Sequence, residues 1–228
     1  MTTEVTLYDW GPSPFCHKVR AVLDHKGVEY RRAPALPNFF KVRRKGGIGK
    51  VPALEIDGVF LVDSTDIVHE LERRFPQRPV LPSDPRERAL CHLLEDQTDE
   101  ALYFHGLYFH WREPKGRAAA EKFFAKQGFL GRLAFRPFLA RVSAQLDGQG
   151  TGRKPEAQVR ADLARTLDAY EALLDGRDFL LGEGPYLCDF GLATQLTYLC
   201  LAAGTRTLLD DRPALSAFVA RVTPRRSR

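Results

Sequence analysis

The chain has 228 residues, of which 44% are hydrophobic, so it can bury a substantial core in one or two domains. Its 34 Lys and Arg residues exceed its 29 Asp and Glu residues by five. This small, dispersed excess gives no reason to expect nucleic acid as a partner, and a small anionic ligand suits it equally well. No stretch approaches the roughly 18 to 20 uninterrupted apolar residues of a membrane span, so no membrane partner is expected.

The cysteines and the first residues predict the compartment. Four cysteines are scattered along the chain, at Cys16, Cys91, Cys188 and Cys200. They show neither the paired spacing of a metal site nor the density of a disulfide scaffold, so reduced thiols and no bound metal are expected. Residues 1–6 lack the charged-then-apolar pattern of a signal peptide. Together these features predict a cytoplasmic protein.

Up to Phe75 the sequence alternates short strand-like and helix-like segments. In chain order, the predicted elements are a strand at 5–8, a helix ended by Gly27, a strand at 28–32, a short basic helix within 37–45, two strands at 51–56 and 59–62, and a helix that starts at an N-cap Ser64. The two later strands are expected to pair through a tight Asp57-Gly58 turn. The order is therefore β-α-β-α-β-β-α.

Four prolines recur every three residues after this region, at Pro76, Pro79, Pro82 and Pro85. Because proline removes backbone donors and favours an extended chain, this segment is predicted to join two domains. The prediction is an α/β domain over 1–77, a linker over 78–85 and an all-α domain over 86–228. Helices are expected at about 86–111, 115–147, 156–175 and 189–203.

The segment Ser13-Pro14-Phe15-Cys16 lies where the first strand gives way to the first helix. Serine is a favoured N-cap and proline a favoured first helical residue, so a well-formed helix start is sufficient to explain it. A helix N-terminus also stabilises an anion, so a hydroxyl there can hold a thiolate of the protein or of a ligand. The local sequence leaves both interpretations open.

Four motifs along the first domain favour the second interpretation, in which the helix start holds a thiolate. They are SPFC at 13–16, KVR at 18–20, GKVPAL at 49–54 and DS at 63–64. Together they resemble the glutathione transferase superfamily, in its serine- or cysteine-type cytosolic branch. The resemblance implies a thioredoxin-like N-terminal domain, an all-helical C-terminal domain, and glutathione as co-substrate in a detoxification enzyme. It also implies a homodimer, and a reaction that needs no metal.

The resemblance also implies roles for individual residues. Ser13 would donate a hydrogen bond to the glutathione thiolate and so be catalytic. A cis peptide at Pro52 would turn the backbone of Val51 toward the cysteinyl part of glutathione. Asp63 would meet the γ-glutamyl ammonium, and Ser64 with the free N–H groups of its helix would take the γ-glutamyl carboxylate.

Lys50 follows the densest basic run of the chain, and it is expected to help hold the glycyl carboxylate of glutathione, with Lys41 as a weaker candidate. Cys16, one helical turn after Ser13, is either a small packed hydrophobe or a group that acts near the thiol. Tyr8 is the other candidate for the hydroxyl that donates to the thiolate, because tyrosine-type relatives draw this donor from the end of the first strand. Its position is about one residue away from the one that the resemblance implies.

The 86–111 helix carries several aromatic residues, namely Tyr103, Phe104, Tyr108 and Trp111. They are either core residues or, as the resemblance implies, the hydrophobic wall that binds the electrophile. Two rival functions stay open: a glutathione-dependent thiol reductase or peroxidase that uses Cys16, and a non-catalytic, metaxin-like adaptor.

Overall fold

The computed structural model describes residues 3–35, 37–47, 50–126 and 128–223. The chain divides into two compact units. The first contains the residues up to Glu95 together with Leu181–Thr194, and the second contains Asp96–Leu180 together with Gln195–Arg221. The domain boundary at 78–85 stays a prediction. Residues 75–84 form neither helix nor strand, as expected for a proline-rich segment.

The first unit contains a four-stranded sheet in the order β2-β1-β3-β4. Its strands are β1 (Val5–Asp9), β2 (Arg31–Pro34), β3 (Ala53–Ile56) and β4 (Val59–Val62), and only the β1–β2 pair is parallel. Its helices are α1 (Pro14–Lys26), α2 (Phe39–Arg44), α3 (Ser64–Arg74) and α4 (Pro85–Asp96). Up to α3, the order of elements confirms the β-α-β-α-β-β-α prediction.

Two strands begin later than predicted, and the backbone explains both differences. Gly27 has a φ of 70°, and Val28 donates its N–H to the Leu23 carbonyl at 3.0 Å, so residue 28 belongs to the helix cap and β2 starts at Arg31. Pro52 has no N–H to give to a ladder, and β3 starts at Ala53.

The predicted turn between β3 and β4 is confirmed. Asp57 and Gly58 have φ values of 47° and 81°, the left-handed geometry of a type I′ hairpin turn. The apolar faces of α1 and α3 form part of the core, and their fully buried members are Val19, Val22, Leu23, Ile67, Val68 and Leu71.

The predicted 86–111 helix is helical throughout but changes type within its length. A π-helical turn, Gln97–Leu102, follows α4 and precedes α5 (Tyr103–Trp111). The 115–147 prediction is wrong in one respect, because the structure has two helices there, α6 (Pro114–Lys126) and α7 (Gly128–Gln149). Gly128 has a φ of 81°, which a continuous helix cannot contain.

The remaining helices are α8 (Glu156–Leu173), α9 (Leu187–Leu201) and α10 (Pro213–Val222), with a 3₁₀ turn at Thr151–Arg153. The sequence analysis missed α10, although it begins at a proline and has buried apolar residues at Leu215, Phe218 and Val222. No helix within the described ranges is long and apolar enough to cross a membrane.

Candidate active site

Ser13 is the N-cap of α1, as predicted. Its Oγ accepts a hydrogen bond from the Cys16 N–H at 3.3 Å, and its own N–H donates to the Trp10 carbonyl at 2.9 Å. The residue is only 6% exposed. Because Oγ acts as an acceptor in the cap, its proton can still be donated to an anion that lies at the positive end of the helix dipole. The capping and the anion-binding interpretations are therefore compatible.

Cys16 is fully buried one turn into α1. Its Sγ accepts a hydrogen bond from the Trp10 N–H at 3.4 Å. Burial raises the pKa of this thiol, and the hydrogen bonds that Trp10 and Ser13 could give to its ionised form offset only part of the effect. An inaccessible neutral thiol is a poor nucleophile, so the structure favours the packed hydrophobe over the redox group.

The state of Cys16 gives a direct prediction. On treatment of the native protein with iodoacetamide at pH 7 to 8, we expect Cys16 to stay unmodified, and Cys200, the partly exposed thiol, to react first. Because the pKa of Cys16 is raised, its thiolate fraction grows only at a pH above the ordinary thiol range. Mass spectrometry of the peptides measures both reactions, with the unfolded protein as control. Fast alkylation of native Cys16 would contradict this account.

The Val51–Pro52 peptide is cis, as the resemblance implies. Val51 is half-buried and Lys50 is exposed beside it. Gly49, the first residue of the GKVPAL motif, and Ile48 before it lie outside the described residues. The backbone of Val51 therefore stands two residues before β3, next to a cationic side chain that solvent can reach.

Asp63, not Ser64, is the N-cap of α3, which corrects the sequence prediction. Asp63 has a φ of 74°, and its Oδ1 accepts a hydrogen bond from the Thr65 N–H at 2.9 Å. Ser64 is the first helical residue and is buried. The arrangement places an exposed carboxylate, a hydroxyl and the first N–H groups of α3 together. The Asp63 carboxylate can attract an ammonium, and the Ser64 hydroxyl with the N–H groups of α3 can bind a carboxylate.

A buried ion pair lies next to this helix start, and the sequence analysis missed it. Lys18 on α1 donates to Glu95 Oε1 on α4 at 2.5 Å, and the Thr65 hydroxyl donates to the same oxygen at 2.6 Å. The side chains of Lys18 and Glu95 are only 1% and 5% exposed. The ion pair thus connects α1 with α4, and Thr65, the residue after Ser64, connects α3 to the same carboxylate.

Tyr8 is fixed by other contacts. Its hydroxyl donates to Glu55 Oε2 at 2.9 Å, and its ring packs against Phe60 in a buried cluster. Lys45 pairs with the other oxygen of the same carboxylate. The hydroxyl proton of Tyr8 is therefore held by Glu55, which favours Ser13 as the donor.

The four predicted substrate-binding aromatic residues all belong to the second unit. Trp111 packs against Phe124 and Phe138, with ring centroids 6.1 and 4.8 Å away. Tyr108 is buried, whereas Tyr103 and Phe104 are partly exposed and pack edge to face at 5.5 Å. Burial raises the pKa of Tyr103 to about 12, so its hydroxyl is neutral at physiological pH. Substrate binding by this set stays a proposal.

Asp189 has a structural role at the start of α9. Its Oδ2 accepts a hydrogen bond from the Tyr186 N–H at 2.8 Å, and its own N–H donates to the Tyr186 carbonyl at 2.9 Å. The aspartate thus supplies one half of a capping box at the start of α9, although Tyr186 stands where Ser or Thr is usual. Within the described ranges, no three His, Cys, Asp or Glu side chains form a group that could hold a metal ion.

Comparison with known sequences agrees with this geometry. The family described as "Glutathione S-transferase, N-terminal domain" matches residues 7–79, and "Glutathione S-transferase, C-terminal domain" matches residues 131–221. A maleylacetoacetate isomerase of Pseudomonas aeruginosa is 35% identical over 204 residues, which cover 72% of this chain and 92% of the isomerase. An isoprene-epoxide–glutathione S-transferase of Rhodococcus is 25% identical over 209 residues, or 86% of each chain.

Solved structures share the fold. A β-etherase of Sphingobium superimposes with a TM-score of 0.72 and 22% identity over 99% of this chain and 96% of its own. A glutathione S-transferase of Methylobacterium radiotolerans in complex with glutathione sulfonate superimposes with a TM-score of 0.65. It is 23% identical, and the match covers 98% of this chain and 92% of the transferase. With both domain families matched in order and a relative above 30% identity over most of the chain, this protein belongs to the glutathione S-transferase family and is an enzyme.

Proposed function

We propose that this enzyme transfers the thiolate of glutathione to a hydrophobic electrophile, with Ser13 as the group that stabilises the thiolate. The observation that carries the proposal is the Ser13 hydroxyl at the N-terminus of α1, engaged there as an acceptor and so still able to donate. A charge-assisted hydrogen bond and the helix dipole both favour the ionised thiol, which lowers its pKa toward neutral.

The rest of the proposed glutathione site lies in the same unit. The backbone of Val51 would pair with the cysteinyl residue, and Asp63 would attract the γ-glutamyl ammonium. Ser64 and the first N–H groups of α3 would take the γ-glutamyl carboxylate, and Lys50 would take the glycyl carboxylate. The buried state of Ser64 and the exposed state of Asp63 and Lys50 support these roles. Asp63 and Lys50 then each meet the part of the tripeptide that carries the opposite charge, and the helix start meets a carboxylate.

In the proposed reaction the bound sulfur attacks an electrophilic carbon and forms a carbon–sulfur bond. The bonding pair of the broken bond stays with the leaving atom, either a departing anion or an oxygen that then takes a proton from water. The protein contributes the stabilised thiolate and the proximity of the two reactants. This chemistry requires no metal ion. Tyr103 and Phe104 are the partly exposed aromatic residues proposed to contact the electrophile.

Binding of glutathione is the first test of the proposal. We expect a dissociation constant of 1 mM or below by calorimetry. With about 10 mM glutathione, a 1 mM site should add about 1.4 kcal/mol to the free energy of unfolding. S-methyl glutathione, which cannot ionise at sulfur, serves as the matched ligand. Neither heat nor thermal stabilisation at that concentration would refute the proposal.

A panel of conjugation, disulfide-reduction and peroxidase assays separates this function from the reductase alternative. We expect conjugation to dominate, because the buried Cys16 cannot form the mixed disulfide that reduction by a protein thiol requires. Substrates should include an epoxide and an isomerisable diketo acid, since named relatives include an epoxide transferase and an isomerase. Reduction that is lost in Cys16→Ala would favour the alternative.

We further propose a homodimer in which α4 contributes apolar surface. Leu90 and Leu93, one turn apart, are 42% and 68% exposed. Light scattering at micromolar concentration should give twice the mass of the chain, and Leu93→Glu should shift the population toward monomer. Leu173→Glu on α8, at 44% exposure, is the control expected to stay dimeric. A monomeric wild-type protein would contradict the proposal.

A further inference from the structure

The positive charge of the chain is concentrated in two helices of the second unit, α6 and α7. Seven lysines and arginines lie at positions 115–141 against one glutamate, Glu121, which gives this segment a formal charge of +6. The whole chain has a formal charge of +5, so the charges elsewhere nearly cancel. The positive excess, taken as dispersed in the sequence analysis, thus lies almost wholly in one segment.

All seven of these cationic side chains are exposed. α6 carries Lys115, Arg117, Lys122 and Lys126, and α7 carries Arg132, Arg136 and Arg141. Within the described ranges none of the seven pairs with a carboxylate, whereas Arg112, just before α6, lies 3.6 Å from Asp147. Cations without local partners create a field that attracts an anionic partner.

Large apolar side chains are exposed among these cations. On α7, Phe129 and Leu133 are 79% and 66% exposed, and on α6, Phe123 is 45% exposed. The positions of Phe129 and Leu133 are three or four residues from those of Arg132 and Arg136, so the four side chains share one face of α7. We call these four residues the α7 patch.

The contact between α6 and α7 uses other rings. Phe124 on α6 packs against Phe135 and Phe138 on α7, with ring centroids 5.7 and 5.5 Å away. The two helices therefore hold each other through residues outside the α7 patch. An exposed apolar patch that internal packing does not use is typical of a surface that binds a partner.

The chemistry of the α7 patch fits the surface of an anionic lipid bilayer. Such a surface presents negative headgroups above a layer of acyl chains. A helix with Arg and Lys beside Phe and Leu can lie in this plane, with its apolar side chains among the acyl chains and its cations at the headgroups. A nucleic acid would pair with the cations but offers no apolar layer to an aliphatic side chain such as Leu133.

We propose that the α7 patch, together with the cations of α6, binds anionic lipid bilayers and so places the enzyme on a membrane surface. The sequence analysis expected no membrane partner because the chain has no spanning segment. No described helix is able to cross a membrane, and binding at the surface does not require one. The proposed glutathione site lies in the first unit, so this inference does not depend on it.

Cosedimentation of the full chain with lipid vesicles tests the inference. We expect binding to phosphatidylcholine vesicles that contain about 30% phosphatidylserine, and little binding to phosphatidylcholine alone, because the attraction requires an anionic surface. Binding should weaken as salt rises, because exposed charges are screened. The double variant Arg132→Gln with Arg136→Gln should weaken binding about tenfold or more. Leu133→Ser should weaken it about threefold to tenfold, because it removes an inserted apolar side chain.

Two variants on α8 are the matched controls. The double variant Arg160→Gln with Arg165→Gln removes the same charge from exposed arginines that pair with Glu156 and Asp162. Leu173→Ser replaces a leucine that is 44% exposed. Both should bind vesicles as the wild type does. The comparison of anionic with neutral vesicles uses the wild-type protein, so it decides the question even if a variant fails to fold.

Four results would overturn the inference. The first is wild-type protein that binds neither kind of vesicle, or both kinds equally. The second is an equal loss in the α7 and α8 variants, which would show that the net charge and not the patch is responsible. The third is tighter binding to a DNA duplex than to anionic vesicles, lost in the arginine variant of α7 and kept in Leu133→Ser. The fourth is a lower mass of Leu133→Ser by light scattering, which would assign the patch to a contact between copies of the chain.

Discussion

Ser13→Ala should lower the rate of conjugation at neutral pH by about tenfold to a hundredfold while the protein stays folded. The variant removes a charge-assisted hydrogen bond to the bound thiolate, worth about 1.5 to 3 kcal/mol. That loss corresponds to a rise of about one to two units in the pKa of the bound thiol. Because the thiol is ionised only above its pKa, activity should recover in part as the pH increases. The pH profile of kcat/KM measures the effect.

Two further variants control for the neighbouring groups. Tyr8→Phe should not shift the pH profile, because the Tyr8 hydroxyl donates to Glu55. Cys16→Ala should change conjugation little, because its thiol is buried. The assignment of Ser13 would be wrong if its variant kept the wild-type profile while either control shifted. The loss of the helix cap in Ser13→Ala costs about 1 kcal/mol of stability. The thermal stability of this variant should therefore be measured alongside its kinetics.

Lys18→Met should lower the free energy of unfolding by about 3 to 5 kcal/mol. The substitution removes the Lys18 cation that pairs with the Glu95 carboxylate, whose side chain is only 5% exposed. We expect the KM for glutathione to rise as well, because Glu95 also holds Thr65, the residue after Ser64. Urea denaturation and steady-state kinetics measure the two effects.

The control is an exposed ion pair on α3. Arg73 pairs with Glu70 at 2.7 Å but is 68% exposed, so Arg73→Met should cost far less stability than Lys18→Met. The double variant Lys18→Met with Glu95→Gln should be more stable than Lys18→Met alone, because it replaces the buried Glu95 carboxylate by a neutral amide. A similar loss in Lys18→Met and Arg73→Met would show that the buried pair has no special importance.

Local sequence signals predicted the first unit well. The start of α1 at Ser13-Pro14, its end at Gly27 and the Asp57-Gly58 turn each depend on a backbone requirement that a few residues satisfy. Errors of one to three residues arose where a neighbour changed the outcome. Val28 was taken into the helix cap, and Asp63 replaced Ser64 as the N-cap.

The cis Val51–Pro52 peptide could be predicted only through the family resemblance. Proline peptides are cis in about 5 to 6% of cases in folded proteins, so the dipeptide alone favours trans. The order of the surrounding motifs supplied the information that the dipeptide lacks, and the structure confirms it.

Long-range charge pairs could not be predicted at all. Lys18 and Glu95 are 77 positions apart, and both residue types are normally exposed, so neither the spacing nor the composition indicates a buried pair. The same holds for Asp9 with Arg32, which depends on the register of β1 and β2. Both pairs arise from the packing of elements against one another, which local sequence signals do not encode.

The most direct test of the central claim is a titration of the thiol itself. Ultraviolet absorbance of the thiolate, followed against pH in the glutathione complexes of wild-type protein and Ser13→Ala, gives the pKa of the bound sulfur without any electrophile. The account predicts a wild-type pKa well below the value of about 8.5 typical of a free thiol, and a variant pKa about one to two units higher. Equal pKa values in the two complexes would contradict it.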